Sequence, residues 1–473
     1  MTALWTAQSA VAATGGRLSG PAEWRATGVS IDTRTLKPGD LFVALKDARD
    51  GHDFVRAAFA QGAAAALVSR EIAASGPQLV VSDTLAALGA MGAAARARAA
   101  RARVVAITGS VGKTSTKEGL ALALGRQGAT HAASASFNNH IGVPITLARL
   151  PADAAYAVFE IGMNHAREIA PLTAMVRPHV AAITAVEAVH AENFTDGIAG
   201  VARAKSEIFE TGAGGETAIL PFDNPYYEFL AGVAKGQGWR EVLGFGTRPG
   251  AAARLLEWRG GPDGSTVTAE ILGKRMVWRV GAPGAHWASN ALAIVLAAHA
   301  LGADAAQAAD ALAGVAPPKG RGARHTVALS AGGEFTLLDE SYNASPPSMR
   351  AAFAVLAMTP ATRRVAVLGD MRELGPDAAT LHAGLAEAIA ASGVDVVFAC
   401  GPLMRNLWDA LPEGTRGAYA ADSDALLPLV REAVRAGDAV SVKGSLGSRM
   451  GPIVAALLEL DPARPQSRAA AGR

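Results

Sequence analysis

The stretch Val104-Val105-Ala106-Ile107-Thr108-Gly109-Ser110-Val111-Gly112-Lys113-Thr114-Ser115 decides the reading of the fold. An apolar run of strand length enters a glycine turn, and a helical stretch from Lys113 to Arg126 follows. This order is the context of a phosphate-binding loop. Its glycines let backbone N–H groups turn inward on phosphate oxygens, and the helix N-terminus adds partial positive charge. Lys113 neutralises the outer phosphates and the Thr114 hydroxyl reaches Mg²⁺, so ATP or GTP is implied. Only Ser110 and Val111 separate the two glycines, fewer than in the commoner form of this loop.

Outward from the loop the pattern of strand, turn and helix repeats: Ala155 to Ile161, Glu168 to Val176, then Val180 to Thr184. Such alternation predicts a parallel sheet doubly wound with helices. Upstream, short strands at Leu41 to Leu45, Ala66 to Val68 and Leu79 to Val81, with a helix from Asp53 to Gln61, predict a small α/β unit. Downstream, an Ala-rich helix is expected from Ala291 to Leu312. The break Pro317-Pro318-Lys319-Gly320 then precedes strands near Phe335 to Asp339, Arg364 to Leu368, Val394 to Ala399 and Ala439 to Val442. The expectation is an α/β chain of three domains, at 1–82, 83–320 and a Rossmann-like 321–473, with a frayed tail from Asp461.

The chain has 473 residues, half of them apolar and 18% charged, the composition of a fully folded globular protein. Its 44 basic and 42 acidic residues nearly cancel, which argues against a nucleic-acid or membrane partner. Arg96, Arg98, Arg101 and Arg103 read as a solvated helix surface. The single cysteine, Cys400, ends a strand-like run and is expected to be a structural thiol. No basic residue precedes Arg17, and Ala291 to Ala316 is broken by His299, Asp304 and Asp310. Neither stretch reads as a secretory signal or a membrane span, so a cytoplasmic location is expected.

Glu160 ends the strand after the phosphate loop, where ligands of open α/β sheets gather. A carboxylate there suits Mg²⁺. His190 follows the next strand; alone it reads as a structural or surface histidine. Lys205 alone reads as an exposed helix lysine. Asn138-Asn139 forms a polar loop, open to turn chemistry or to substrate contact.

Taken in order, Thr108 to Thr114, Phe137-Asn-Asn-His-Ile-Gly-Val-Pro144, Glu160-Ile-Gly-Met-Asn164, Val189-His-Ala-Glu-Asn-Phe194 and Ala204-Lys-Ser-Glu-Ile-Phe209 resemble the Mur ligases. Gly284-Ala-His-Trp-Ala-Ser-Asn290 and Lys319-Gly-Arg-Gly322 extend the likeness. So do Asp339-Glu-Ser-Tyr-Asn-Ala-Ser-Pro346, Gly369-Asp-Met-Arg-Glu-Leu-Gly375 and Val442-Lys-Gly-Ser445. The last three are similar to the version in the member that adds D-alanyl-D-alanine. Val29 to Arg34, Gly39 to Phe42 and Asp50-Gly51-His52 resemble a uridine-nucleotide domain.

The resemblance implies a monomeric ATP-dependent amide ligase joining D-alanyl-D-alanine to a UDP-N-acetylmuramoyl-tripeptide through an acyl phosphate. The alternatives are the ligase that adds the third stem residue and a P-loop NTPase that ligates nothing. It implies phosphate contacts from residues 109–115 and Arg321, metal ligation by Thr114, Glu160 and His190, and a carbamylated Lys205. Lys113, Lys205 and Arg321 would carry the chemistry. Asn290 would face adenine, Tyr342 and Asn343 the nucleoside, and Asp339 or Glu340 the ribose. Substrate contacts would come from Ser30, Thr33, Arg34, Asp50, Gly51, His52, Asn138, Asn139, Lys443 and Ser445. A hinge is expected at Pro317 to Gly320. Trp287 stands where the family often has Asn, and Arg167 where glycine is usual.

Overall fold

The strand Arg103–Thr108 lies inside a nine-stranded sheet of a computed structural model that describes residues 3–134 and 136–464. Most of the tail expected to fray, 465–473, is outside those residues. Arg103–Thr108 pairs in parallel with Tyr156–Glu160 on one side and Val180–Ile183 on the other. Its residues from Val104 onward are buried, as a strand covered by helices on both faces requires. Parallel pairing continues through Thr217–Pro221 and Glu241–Gly246 to Ala253–Gly261.

The sheet is not wholly parallel, contrary to expectation. Ala253–Gly261, Gly264–Ile271 and Lys274–Val280 form an antiparallel ribbon on its edge. Pro262-Asp263 and Leu272-Gly273 close its hairpins, and both residues of the second loop have positive φ, 49° and 79°. The expected helix from Ala291 to Leu312 is also interrupted. It runs from Ala285 to Ala300 and restarts at Ala305–Ala311. Gly302, with φ 82°, ends the first part, and the Asp304 carboxylate accepts from Gln307 N at 2.8 Å to cap the second.

The N-terminal sheet has five strands in the order Arg17–Ser19, Gln78–Val80, Ala65–Val68, Asp40–Val43, Gly28–Ser30. Its core is continuous with the central one: Trp5, Leu41 and Leu67 share an apolar cluster with Met91, Leu147 and Phe159. Polar contacts reinforce the junction, since Trp5 Nε1 donates to Ala148 O at 2.8 Å and Arg149 Nε to Val29 O at 2.7 Å. The C-terminal sheet, six strands led by Ala323–Ala328 and Glu334–Glu340, has separate apolar clusters on its two faces. Cys400 ends one of its inner strands, and burial pushes its thiol up to about 12.

Reading Arg96 as solvated is overturned. The helix Thr84–Arg98 turns Arg96 inward, leaving it 7% exposed. Its guanidinium donates to Val176 O at 2.8 Å, Arg177 O at 3.1 Å and Ala99 O at 3.3 Å. These carbonyls belong to the C-terminal ends of two helices, where they find no N–H donors within the helices themselves. Arg103 is in a strand, paired with Glu216, and only Arg101 fits an uncommitted surface group. No helix among the described residues is long and apolar enough to cross a membrane.

Candidate functional site

Gly109 and Gly112 take φ values of 151° and 85°. A Cβ on Gly109 would lie 2.0 Å from Thr184 Oγ1, and one on Gly112 would lie 2.8 Å from Asn290 Oδ1. A side chain is excluded sterically at Gly109 and disfavoured by the left-handed backbone at Gly112, and Asn290 is brought against the loop. Ser110 is spent on bracing: its amide donates to Ala185 O at 2.9 Å and its hydroxyl to Glu187 O at 3.1 Å. Thr184 Oγ1 donates to Val111 O at 2.5 Å. Lys113 Nζ folds back on Gly109 O at 2.6 Å. Desolvation lowers the Lys113 pKa, with Glu160 opposing that shift and Arg321 adding to it, so loop, carboxylate and guanidinium sense one another.

Glu160, 2% exposed, closes its strand beside the loop. Thr114 Oγ1 donates to Oε2 at 3.0 Å, while Ser136 Oγ and Asn138 Nδ2 donate to Oε1 at 3.1 and 2.8 Å. All three of these donors are neutral, and a strand-end carboxylate held this way offers oxygen ligands that suit a hard cation. Asn139 turns elsewhere, accepting from Gly142 N at 2.8 Å at the start of the helix Gly142–Ala148.

Lys205 is not exposed, contrary to its reading from the sequence. It is 2% exposed near the end of the helix Ile198–Ser206, and its Nζ has no hydrogen bond among the described residues. Burial, and then the like charge of Lys113, hold its pKa well below the ordinary lysine value. The neighbouring Glu207 accepts from the amides of Arg167, Ile169 and Ala170 at 2.6, 3.1 and 3.1 Å. Arg167 has φ 68°, which explains why glycine suits that position, and its guanidinium is paired with Glu210 at 2.8 Å.

His190 Nδ1 lies 2.5 Å from Glu373 Oε2 of the C-terminal domain. Among the described residues, no group of three or more His, Cys, Asp or Glu is arranged to hold a metal unaided. Arg321 stacks 4.3 Å from the Tyr342 ring centroid. A cleft between the domains is lined by His286, Trp287, Pro317, Arg321, Leu338 and Glu340. The two acidic candidates there are not equivalent. Asp339, 1% exposed, accepts from Gly320 N at 3.0 Å and from Ser341 N and Oγ at 3.1 and 2.6 Å, bracing the 317–320 segment. Glu340 lines the cleft, 3.3 Å from Lys443 Nζ, which also donates to Asn343 O at 2.9 Å. Ser445 is held inside its domain, accepting from Arg372 N at 2.9 Å.

In the N-terminal domain Arg34 pairs with Asp32 at 2.6 Å and is 83% exposed at its side chain. Ser30 Oγ donates to Asp32 O at 3.0 Å, in the turn that carries Thr33. His52 is committed at both nitrogens, Nδ1 to Asp50 at 2.6 Å and Nε2 to Ser69 N at 2.8 Å, so with Gly51 it supports the loop. The structure thus gathers residues 109–115, Glu160, Asn138, Asn290 and Arg321 around one loop. It adds Ser136, Thr184, Glu187 and Glu373, which sequence reasoning did not assign to the site; a polar Thr184 closing a buried strand and the motif around Glu373 were the signals available.

Residues 25–108 match the Mur ligase family catalytic domain, 107–298 the Mur ligase middle domain and 323–446 the Mur ligase glutamate ligase domain. The UDP-N-acetylmuramoyl-tripeptide–D-alanyl-D-alanine ligase of Escherichia coli K12 is 37% identical over 439 residues, covering 91% of this chain and 93% of that protein. The crystal structure of MurF from Acinetobacter baumannii superposes with a TM-score of 0.81 at 32% identity, covering 96% of this chain and 99% of the other. MurF of Thermotoga maritima, solved in complex with ADP, shares the fold at 24% identity and a TM-score of 0.74, with 92% and 97% covered. The chain belongs to the Mur ligase family.

Proposed function

We propose that this chain is an ATP-dependent ligase that joins D-alanyl-D-alanine to a UDP-N-acetylmuramoyl-tripeptide in the cytoplasm. The observation that carries this reading is the convergence on one loop of Lys113, Thr114, buried Glu160 and Lys205, a buried lysine with no hydrogen bond among the described residues. The E. coli relative bears the name of that reaction, and an ADP complex is known for the T. maritima neighbour.

Amide formation from a carboxylate in water is uphill, so the acid must first gain a leaving group. A carboxylate oxygen of the tripeptide attacks the γ-phosphorus of ATP and ADP departs. The amine of D-alanyl-D-alanine then attacks the acyl carbon, loses a proton and expels phosphate. Amides of the loop and Lys113 hold the phosphates, and Arg321 meets the terminal one. Asn290, packed on Gly112, reaches the adenine side, and Tyr342 and Asn343 the nucleoside. Glu340, which lines the cleft, is the ribose carboxylate, because Asp339 is buried and braces the 317–320 segment. Positioning supplies much of the remaining rate. Closure of the C-terminal domain about 317–320 would bring Lys443 and the Ser445 loop to the reactants.

Glu160, Thr114 and His190 would hold Mg²⁺, with a carbamate on Lys205 as a further anionic ligand. The donor set suits it, since the fixed Glu160 carboxylate has no cationic side chain hydrogen-bonded to it. Mg²⁺ supplies charge neutralisation at the phosphate oxygens. Carbamylation requires an uncharged amine, and burial beside Lys113 favours that form of Lys205. The test is incubation with ATP, the UDP-tripeptide and D-alanyl-D-alanine, followed by mass detection. UDP-pentapeptide formed only with all three supports the reading; phosphate release without the peptide substrates overturns it.

A further inference from the structure

We propose that Glu373 is a positioning residue for His190, lent to the central domain by the C-terminal one, so that domain docking completes the cation side of the phosphate loop. This inference rests on the ligase reading. The contact is short, 2.5 Å from His190 Nδ1 to Glu373 Oε2, and joins residues on different domains. It is also reciprocal: the amide of Gly375 donates to Glu192 Oε2 at 3.2 Å, so each loop offers a glutamate to the other.

Backbone geometry points the same way. His190 and Glu373 adopt φ values of 62° and 64°, a left-handed conformation that non-glycine residues rarely take. Such conformations persist where the surroundings enforce them, and they gather at functional sites. Gly375 has φ 67°, and a Cβ on it would come within 3.2 Å of Glu192 Cβ, so the two loops meet backbone to side chain. The buried Nδ1 has no partner among the described residues besides this ion-pair contact, and a carboxylate on that side orients the ring for a ligand at Nε2. His190 Nε2 has no hydrogen bond among the described residues and would be the atom that meets a cation. The far side of this loop is tied to the phosphate loop, because Glu187 N donates to Ser110 Oγ at 3.0 Å. Glu373 therefore acts through His190 on the same element that braces the phosphate loop.

The experiment titrates Mn²⁺, followed by electron paramagnetic resonance, into full-length protein holding a non-hydrolysable ATP analogue. Glu373→Ala is expected to weaken Mn²⁺ binding about 10- to 100-fold, the usual cost of removing a carboxylate behind a ligating histidine. Glu373→Gln, which keeps shape and an acceptor oxygen, should lose less. In a His190→Ala background the further change Glu373→Ala should cost less than about twofold, because its effect passes through the histidine. Mn²⁺ affinity in Glu373→Ala within about twofold of the parent, or an equal loss in both backgrounds, overturns the proposal. A parent that binds Mn²⁺ with nucleotide but makes no pentapeptide overturns the ligase reading instead, and leaves the positioning role standing.

Discussion

Arg96 and Lys205 are both buried basic side chains on helices, 7% and 2% exposed, yet their surroundings are opposite. Arg96 finds carbonyls at two helix ends, and the fully buried Lys117 likewise reaches Ala133 O at 2.6 Å. Lys205 has no hydrogen bond among the described residues and faces the positive charge of Lys113. A buried charge that is satisfied holds the structure together, whereas one left unsatisfied costs stability and persists because something other than stability requires it. Burial alone does not separate structure from chemistry; the partners do.

The contrast breaks most sharply under substitution of the two basic side chains. Lys205→Ala should lower the ligation rate by on the order of 10²–10³-fold, the scale of removing one electrostatic element from a site. Added short-chain carboxylates should restore part of that rate, measured as UDP-pentapeptide formed, by standing in for the carbamate. Full activity in Lys205→Ala would remove the carbamate from the account. Arg96→Ala should do the reverse. It leaves Val176 O and Arg177 O without a donor, so chemical denaturation should show a loss of about 3 kcal/mol, while kcat at 25 °C stays near the parent value. A large kcat defect with intact stability would contradict the structural role of Arg96.

Lys205→Met should raise stability by about 1–2 kcal/mol, because the desolvated amine is replaced by a side chain of similar size. Its pH dependence sharpens the point. The folded-state pKa of Lys205 is depressed, so the unfolded chain binds the extra proton, and stability rises with pH between the folded value and the ordinary lysine value. Thermal melts of the parent should therefore climb more steeply from neutral to alkaline pH than those of Lys205→Met; parallel curves would deny the buried amine. The smallest effect is expected at Arg167. Arg167→Gly relieves a left-handed backbone at φ 68° but loses an exposed pair with Glu210, so stability should change by about 1 kcal/mol or less.

The phosphate loop could be read from the sequence because its strand, turn and first helical residues are contiguous, and local chemistry alone specifies them. The Rossmann-like C-terminal strands were legible for the same reason. The antiparallel ribbon at 253–280 was not identified, although Gly261-Pro262-Asp263-Gly264 carries turn chemistry. Arg96 and Lys205 were misread because each lies among small or polar neighbours, and what covers them comes from segments distant in the chain. Glu373 sat within a recognised motif, but its meeting with His190 spans two domains and leaves no trace in spacing. Asp339 and Glu340 are adjacent, and only their hydrogen bonds separate a brace for the 317–320 segment from a carboxylate open to the cleft.

The most direct measurement follows an oxygen atom. With the terminal carboxylate of the tripeptide labelled with ¹⁸O, turnover with ATP and D-alanyl-D-alanine should yield inorganic phosphate carrying one labelled oxygen from that carboxylate. Unlabelled phosphate alongside UDP-pentapeptide would contradict activation of the acid as an acyl phosphate at this loop.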